Sequence, residues 1–318
     1  MIKKLNKPIL ITGPSGFIGS QITRKLLKKN NNVHIIIRKS SNIWRINDII
    51  NQTKYHEVDI TNKSRLINIV SKIKPYKIFH LATYGAYSYQ NELDKIKHNI
   101  LDGTSNLLEA CLQNDFKIFI NTGSNSEYGF SKKKMEESDL LKPNSYYGIF
   151  KAASTMLCNK IALEKNKNII TLRPFHVYGP YEEKTRLIPV LINSLLKNKC
   201  PPLVSPKISR DMIYIDDVVD FYLKISNKHD LKGQVFNIGS GKSYTIEKIF
   251  YKINQIIKSD VIPKWSTMRD RSWDQEIWIS NMNKSKKILN FRNKVSLERG
   301  IKKTIKWIKN NKKFYNID

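Results

Sequence analysis

Residues 10–19 read Leu-Ile-Thr-Gly-Pro-Ser-Gly-Phe-Ile-Gly, and this spacing constrains the fold more than any other stretch of the chain. Gly13, Gly16 and Gly19 follow the apolar run Ile9–Ile11 and open an amphipathic stretch, Phe17–Leu27. The pattern predicts a strand, a tight turn and a helix start. One glycine permits the turn, a second lets backbone approach a phosphate, and a third lets the helix pack on the strand. A helix N-terminus offers free N–H groups and a partial positive charge to an anion. A glycine triplet alone is a common turn. The strand before it and the helix after it make this one a dinucleotide site. Ser15, Phe17 and Ile18 lie within the same turn and join the three glycines as cofactor-binding candidates.

The first half of the chain keeps alternating strand and helix patterns. Val33–Ile37 is an apolar strand and Ser64–Ile73 a helix. Lys77–Leu81 reads as a third strand, Leu101–Leu112 as a helix and Lys117–Asn121 as a strand. A long helix, Tyr147–Leu163, precedes a strand at Ile169–Leu172. Such alternation implies right-handed crossovers and an α/β, doubly wound parallel sheet of the Rossmann type. The pattern then loosens. Ile188–Leu196 is helical, Ile213–Ile215 a strand, Asp217–Ser226 a helix and Val235–Ile238 a strand, and helical pieces follow from Ile246. The expected organisation is a dinucleotide-binding domain over residues 1–180, with strands from about 205–240 returning to it. Residues 181–204 and 241–318 are expected to form a smaller, mostly helical substrate lobe over the carboxyl ends of the sheet, where such folds bind ligands.

Bulk properties exclude several classes. The chain of 318 residues, 40% hydrophobic and 26% charged, buries a large core and needs no staple. No apolar run approaches the roughly 20 residues that span a bilayer. Met1–Pro8 leads directly into the first strand, so no secretory signal is expected. Cys111, Cys158 and Cys200 are widely spaced, form no metal or redox motif, and suit a reducing cytoplasm. The net charge of +29 suggests nucleic acid or a membrane surface. Its lysines are scattered, however, often beside asparagine, with no interleaved aromatics of a single-strand binder. Neither specific nucleic acid nor a membrane is expected as a partner. An anionic small-molecule substrate gains from the same positive field.

The chemical signal lies in Tyr147-Gly-Ile-Phe-Lys151. Residues four apart share one face of a helix. A lysine ammonium beside a phenol favours the phenolate and brings a group with an ordinary pKa of about 10 toward neutral use as an acid or base. Alone the spacing is commonplace on a solvated helix edge. A third group, Ser124, stands in Asn121-Thr-Gly-Ser-Asn-Ser-Glu-Tyr-Gly129 directly after a strand. A hydroxyl at a strand's carboxyl end faces the ligand crevice. There it would hydrogen-bond a carbonyl or alcohol being interconverted.

With these elements in order, the chain resembles the extended short-chain dehydrogenase/reductase family, specifically its nucleotide-sugar epimerases and reductases. The resemblance runs nearly end to end. It takes in Gly13–Gly19, Val58-Asp59-Ile60, His80-Leu81-Ala82 and Asn99-Ile-Leu-Asp-Gly-Thr104. It continues through Ser124…Tyr128-Gly129, Tyr147…Lys151, Arg173-Pro-Phe-His-Val-Tyr-Gly-Pro180 and Arg210-Asp-Met-Ile-Tyr-Ile-Asp-Asp217. The resemblance implies that Tyr147 exchanges a proton with a sugar hydroxyl and that Lys151 holds the nicotinamide ribose and tunes Tyr147. It implies that Ser124 positions the sugar oxygen while a hydride moves between sugar carbon and nicotinamide. It also implies cofactor contacts from Asp59, Ile60, Leu81, Ala82, Thr83, Asn99, Pro174 and His176, beside Tyr147 and Lys151. Asn125, Ser126, His176 and Arg210 fall at substrate-binding positions, Arg210 at the family's diphosphate arginine. Arg269 or Arg271, before Trp273-Asp274, offers a second contact, with Arg271 favoured; a surface turn is the plainer account. Asp216 and Asp217 are expected to cap the following helix.

Four departures narrow the reaction. Sugar dehydratases of the family carry Asp-Glu after the catalytic hydroxyl residue, whereas this chain has Asn125-Ser126, which speaks against 4,6-dehydration. The related reductase that also epimerises beside the carbonyl uses a Cys and a His that have no counterpart here. The family's usual Asn in the Arg-Pro-Phe-Asn motif is His176, as in some CDP-sugar 4-ketoreductases, or simply another hydrogen-bonding group. Finally, NAD enzymes place an acidic residue about 20 residues after the glycines. Here the second strand runs into Arg38-Lys39-Ser40, and Arg45 comes close if Ser41–Trp44 turns. Arg38 suits a 2′-phosphate, so NADP(H) is favoured, with NAD(H) possible. That tilts the expectation toward an NADP(H)-dependent 4-ketoreductase of a nucleoside-diphosphate sugar, with an NAD-dependent 4-epimerase as alternative. A dinucleotide sensor without catalysis is disfavoured by the intact Ser124, Tyr147 and Lys151. A homodimer is expected, pairing the helices Leu101–Leu112 and Tyr147–Leu163 through Leu107, Leu108, Ala153, Met156 and Leu157.

Overall fold

The computed structural model describes residues 6–29, 32–268 and 277–316. They divide into two compact units. The first comprises Met1–Gly129, Leu140–Pro174 and Val219–Phe236; the second comprises Phe130–Asp139, Phe175–Val218 and Asn237–Asp318.

The first unit begins with β1 (Ile9–Thr12), α1 (Phe17–Leu27), β2 (Val33–Ile37), β3 (Lys54–Glu57), α2 (Lys63–Ile73) and β4 (Lys77–His80). A helical run follows as α3 (Leu93–Lys97), a π turn at His98–Asp102 and α4 (Gly103–Leu112). Then come β5 (Ile118–Thr122), α5 (Tyr146–Glu164) and β6 (Ile169–Pro174). After it the chain forms β7 (His176–Tyr178), α6 (Leu187–Leu196), β8 (Ser209–Arg210), β9 (Met212–Tyr214) and α7 (Ile215–Ile225). The last elements are β10 (Val235–Ile238), β11 (Tyr244–Thr245), α8 (Ile246–Ile257), α9 (Asn283–Leu289) and α10 (Leu297–Asn310).

Seven strands form one sheet in the order β10-β6-β5-β4-β1-β2-β3. β1 lies parallel between β2 and β4, with Ile9 opposite both Val33 and Lys77. β1 and β5 are buried at every residue, as central parallel strands covered on both faces must be. Leu10, Val70, Ile78, Leu107 and Phe119 meet in the apolar core beneath. The order reverses direction at β1, and the carboxyl ends of β1 and β4 are the position at which doubly wound sheets take ligands.

Local chemistry sets the helix ends. The Asn62 side chain accepts from Arg65 N and caps α2; Ser145 accepts from Gly148 N and caps α5. The strand β3 is an addition to the expected set. It is an exposed edge strand, Lys-Tyr-His-Glu, paired to β2 from His34↔Lys54 to Ile37↔Glu57. Polar edges of this kind carry no apolar run to read. The expected helix at Leu101–Leu112 starts earlier, at Leu93.

The structure differs from the expected domain limits. The first unit's second segment closes at Pro174, not at 180. Of the segments expected to return to the sheet, β10 joins it, whereas β9 pairs with β7 and β8 pairs with β11 in separate two-stranded sheets. In the second unit, Asp211 is fully buried and its carboxylate accepts from Ser240 N and Oγ (both 2.6 Å), Gly241 N (3.1 Å), Ser280 N (2.9 Å) and Ser280 Oγ (2.5 Å). Asp217, in the first turn of α7, also ties a distant segment: it accepts from Lys294 N and Val295 N.

Candidate functional site

The glycine turn has the geometry of an anion cradle. Gly13 has φ +69°, and a Cβ there would lie 2.6 Å from Ala82 N and Leu81 C. A Cβ on Gly19 would run into the Gly13 carbonyl. Gly16 N donates to Gly13 O at 3.1 Å and so closes the turn. Gly16 is also the N-cap of α1, which has no side-chain cap and no acidic residue in its first turn. Its first N–H groups therefore carry their positive end toward the crevice without an internal counter-charge. The loop after β4 is held beside it: Leu81 N donates to Thr12 O and Ala82 N to Thr12 Oγ. This donor set fits a dinucleotide pyrophosphate. Ser15, Phe17 and Ile18 lie in the same turn.

At the end of β2, Arg38, Lys39 and Ser40 are exposed. Arg38 N donates to Ser41 Oγ and Ser41 N to Arg38 O, which folds the chain back. Arg45 is brought to the glycine turn, 6% exposed, with Nη1 3.5 Å from Ser15 O and its guanidinium 4.4 Å from the Trp44 ring. Arg24 locks that segment by a bidentate pair to Asp48 and a bond to Arg45 O, all at 2.6 Å. Asp59 follows β3 and accepts from Thr61 N and Oγ. Ile60 and Leu81 are buried, Thr83 is exposed, and Asn99 sits in the π turn donating to Lys95 O. Pro174 is the last residue of β6.

The three chemical groups converge near the carboxyl end of β5. Ser124 is nearly buried, and its Oγ accepts from Ser126 N at 3.1 Å. Lys151, 4% exposed, donates from Nζ to Thr122 O at 2.7 Å. The same Nζ lies 5.8 Å from the centre of the half-buried Tyr147 ring. Burial lowers the Lys151 ammonium to about 8, against the opposing pull of Glu127 and Cys158. Thr122 also shares its Oγ with Tyr222 Oη at 2.9 Å. Asn125 and Ser126 begin the short helical turn after Ser124 and are half-buried.

Two buried features here escaped the sequence reading. Glu127, with no exposure, accepts from Ser124 N through Oε1 and from Arg173 Nε through Oε2, each at 2.8 Å. His80 bridges Thr12 Oγ at 2.6 Å and Thr104 Oγ at 2.9 Å. Burial, with Lys151 adding to it, lowers that imidazole to about 3 and keeps it neutral. The only signal for Glu127 was a carboxylate beside a buried strand end, which no local periodicity explains.

His176 and Arg210 belong to the second unit. His176 lies on β7, edge-on to Trp278 at 6.0 Å. Burial, then the Arg210 and Arg186 charges, push its imidazole well below the usual range. The structure thus groups His176 with Arg210 and with Arg186, which sequence reasoning missed. Arg210 is buried on β8, opposite Tyr244, and donates to Ser209 O. Arg269, Arg271 and Trp273 lie outside the described residues.

Residues 9–239 match the model of the NAD dependent epimerase/dehydratase family. A dTDP-D-glucose 4,6-dehydratase of Dictyostelium discoideum is 32% identical over 73% of this chain, which spans 58% of that protein's length. A UDP-glucuronate 4-epimerase of Thermodesulfobacterium geofontis is 27% identical over 95% of this chain and 96% of its own. A crystal structure of UDP-glucose 4-epimerase with UDP-glucose from Thermotoga maritima superposes with a TM-score of 0.88 at 27% identity, covering 96% of this chain and 99% of that one. The chain belongs to the NAD dependent epimerase/dehydratase family.

Proposed function

We propose, from its place in the NAD dependent epimerase/dehydratase family, that this chain is a nucleotide-sugar 4-epimerase acting through Ser124, Tyr147 and Lys151. One observation carries the reading: the three groups stand together after β5 with Asn125 and Ser126, not carboxylates, in the following turn. Neither amide nor hydroxyl serves as the second acid that elimination of water needs. Near full-length similarity to 4-epimerases supports the same choice.

Tyr147 takes the proton of the sugar C4 hydroxyl and later returns it. The Lys151 ammonium stabilises the phenolate. Ser124 Oγ donates to the sugar oxygen and holds it over the phenol. A nicotinamide dinucleotide held there would supply reversible hydride chemistry at the sugar carbon. Gly13, Ser15, Gly16 and the α1 N-terminus would hold its pyrophosphate; Asp59, Ile60, Leu81, Ala82, Thr83, Asn99 and Pro174 would line the rest of it. His176 and Arg210 bind the substrate diphosphate with Arg186 beside them.

A second reading is a net 4-ketoreductase that consumes NADP(H). Arg38 and Lys39, exposed where an NAD enzyme carries a carboxylate, support it. The protein works as a homodimer through α5. Ile149, Met156 and Leu163 are 43%, 58% and 69% exposed and recur every seven residues along that helix. Leu107 and Leu108, expected at the same contact, face the core with no exposure. Met156→Asp is expected to give a monomer in light scattering; an unchanged mass would remove α5 from the contact. The reaction itself is tested by identifying the dinucleotide that purifies with the protein and by mass-spectrometric turnover of nucleotide sugars and their 4-keto forms. Retained NAD with no net cofactor consumption marks the epimerase, and NADPH consumption marks the reductase.

A further inference from the structure

The least expected charge in the first unit is the Glu127 carboxylate. A fully buried carboxylate costs several kcal/mol unless paired and hydrogen-bonded. Glu127 is both: each oxygen receives one N–H, from Ser124 and from Arg173, at 2.8 Å. A donor on each oxygen is the arrangement of the ionised form. Ser124 and Glu127 also form a reciprocal capping box over the turn 125–127. Space is reserved for the carboxylate, because a Cβ on Gly123 would collide with Oε1. Arg173 is itself 2% exposed and stacks 4.6 Å from the Tyr128 ring.

We propose that Glu127 is a positioning residue for the Ser124–Tyr147–Lys151 relay: its carboxylate, secured by Arg173, fixes the Ser124 backbone and sustains the charge of the Lys151 ammonium. The inference rests on the catalytic reading above but not on which nucleotide sugar is used. The groups facing Glu127 are Arg173 from β6 and Lys151 and Cys158 from α5. Those facing Lys151 are Glu127, Cys158, the Tyr147 ring one helical turn earlier on α5 and, from β4, His80. Burial pushes the Cys158 thiol up and the His80 imidazole down, so both stay neutral. Burial also pushes the Glu127 carboxyl up, opposed by Arg173 and by its hydrogen bonds. On balance burial raises the Glu127 carboxyl, and it is the N–H donor on each oxygen that marks it as the charge set against Arg173 and Lys151.

The test is a titration of Lys151 in the apo protein, followed by the side-chain carbon resonance of labelled lysine that disappears in Lys151→Met. In Glu127→Gln the midpoint is expected to fall by about 1 pH unit or more, the effect of removing a nearby opposite charge. In the double variant Glu127→Gln/Arg173→Gln, which removes one charge of each sign, it is expected to return most of the way. A midpoint unmoved in Glu127→Gln would overturn the proposal, because a purely structural role does not move a titration. The wild-type protein provides a second reading if the variants do not fold: the Glu127 carboxyl resonance is expected to be that of the ionised group at neutral pH, and a protonated carboxyl there overturns the proposal. The kcat/KM profile of Glu127→Gln is expected to lose its alkaline side at lower pH than wild type. Absence of wild-type turnover on any nucleotide sugar would sink the catalytic reading while leaving the titration result standing.

Discussion

At the end of β1 the chain presents backbone donors, whereas at the end of β5 it gathers buried side-chain charge. The glycine turn works by what it lacks: no Cβ at Gly13 or Gly19, no cap and no acid on α1. The β5 end works by what it accumulates: Lys151, Glu127 and Arg173, each 4% exposed or less. Lost space in the first should weaken binding with little change in chemistry. Lost charge or a lost proton in the second should change rate and pH dependence while binding survives.

The largest effect is expected from Tyr147→Phe. It removes the proton carrier and keeps the ring, so kcat should fall by roughly 10²–10⁴-fold, the usual worth of acid–base catalysis. Dinucleotide affinity, measured by calorimetry, should be retained. Activity within about threefold of wild type, far short of that range, would take Tyr147 out of the proton transfer.

Arg38→Ala sharpens the binding end. If Arg38 reads a 2′-phosphate, NADP(H) should lose about 1.5–3 kcal/mol of affinity, as for a charge-assisted contact, while NAD(H) hardly changes. Equal losses for both would take Arg38 out of cofactor selection. A smaller effect is expected from Gly19→Ala, whose methyl meets the fixed Gly13 carbonyl. Overpacking of this kind costs about 1–3 kcal/mol, to be read as a lower thermal midpoint together with weaker dinucleotide binding. Unchanged binding would show that the turn has room.

The smallest and most specific effect is in pH. Burial lowers the Lys151 ammonium to about 8, and the proposed relay uses its charged form. Activity should therefore decline as pH rises through about 8. Stability responds with the opposite sign. Between that value and the ordinary lysine range the unfolded chain binds the proton more tightly, so this group's contribution to stability increases as pH rises through the window. Activity that stays flat well above that pH would remove Lys151 from the relay.

The same contrast explains what was legible. The glycine turn, α1 and the Tyr147–Lys151 face are local patterns, and Phe17–Leu27 and Val33–Ile37 appear with the expected limits. β3 was not legible, because Lys54–Glu57 has no apolar alternation and becomes a strand by pairing with β2. Neither Glu127–Arg173, 46 residues apart, nor Asp211–Ser280, 69 apart, leaves a periodic trace. Leu107 and Leu108 read as surplus apolar residues but are consumed by the core. Arg38 was legible only as a missing carboxylate, and that absence fixes a place in the fold more firmly than a cofactor.

Incubating the purified protein with UDP-hexoses and no added reductant, and following the configuration at C4, tests 4-epimerisation itself. The C4 epimers are expected to interconvert from either side to one equilibrium ratio, with no net change in nicotinamide absorbance, and Tyr147→Phe is expected to abolish the interconversion. Conversion seen only on a 4-ketosugar, with NADPH consumed mole for mole, would contradict it.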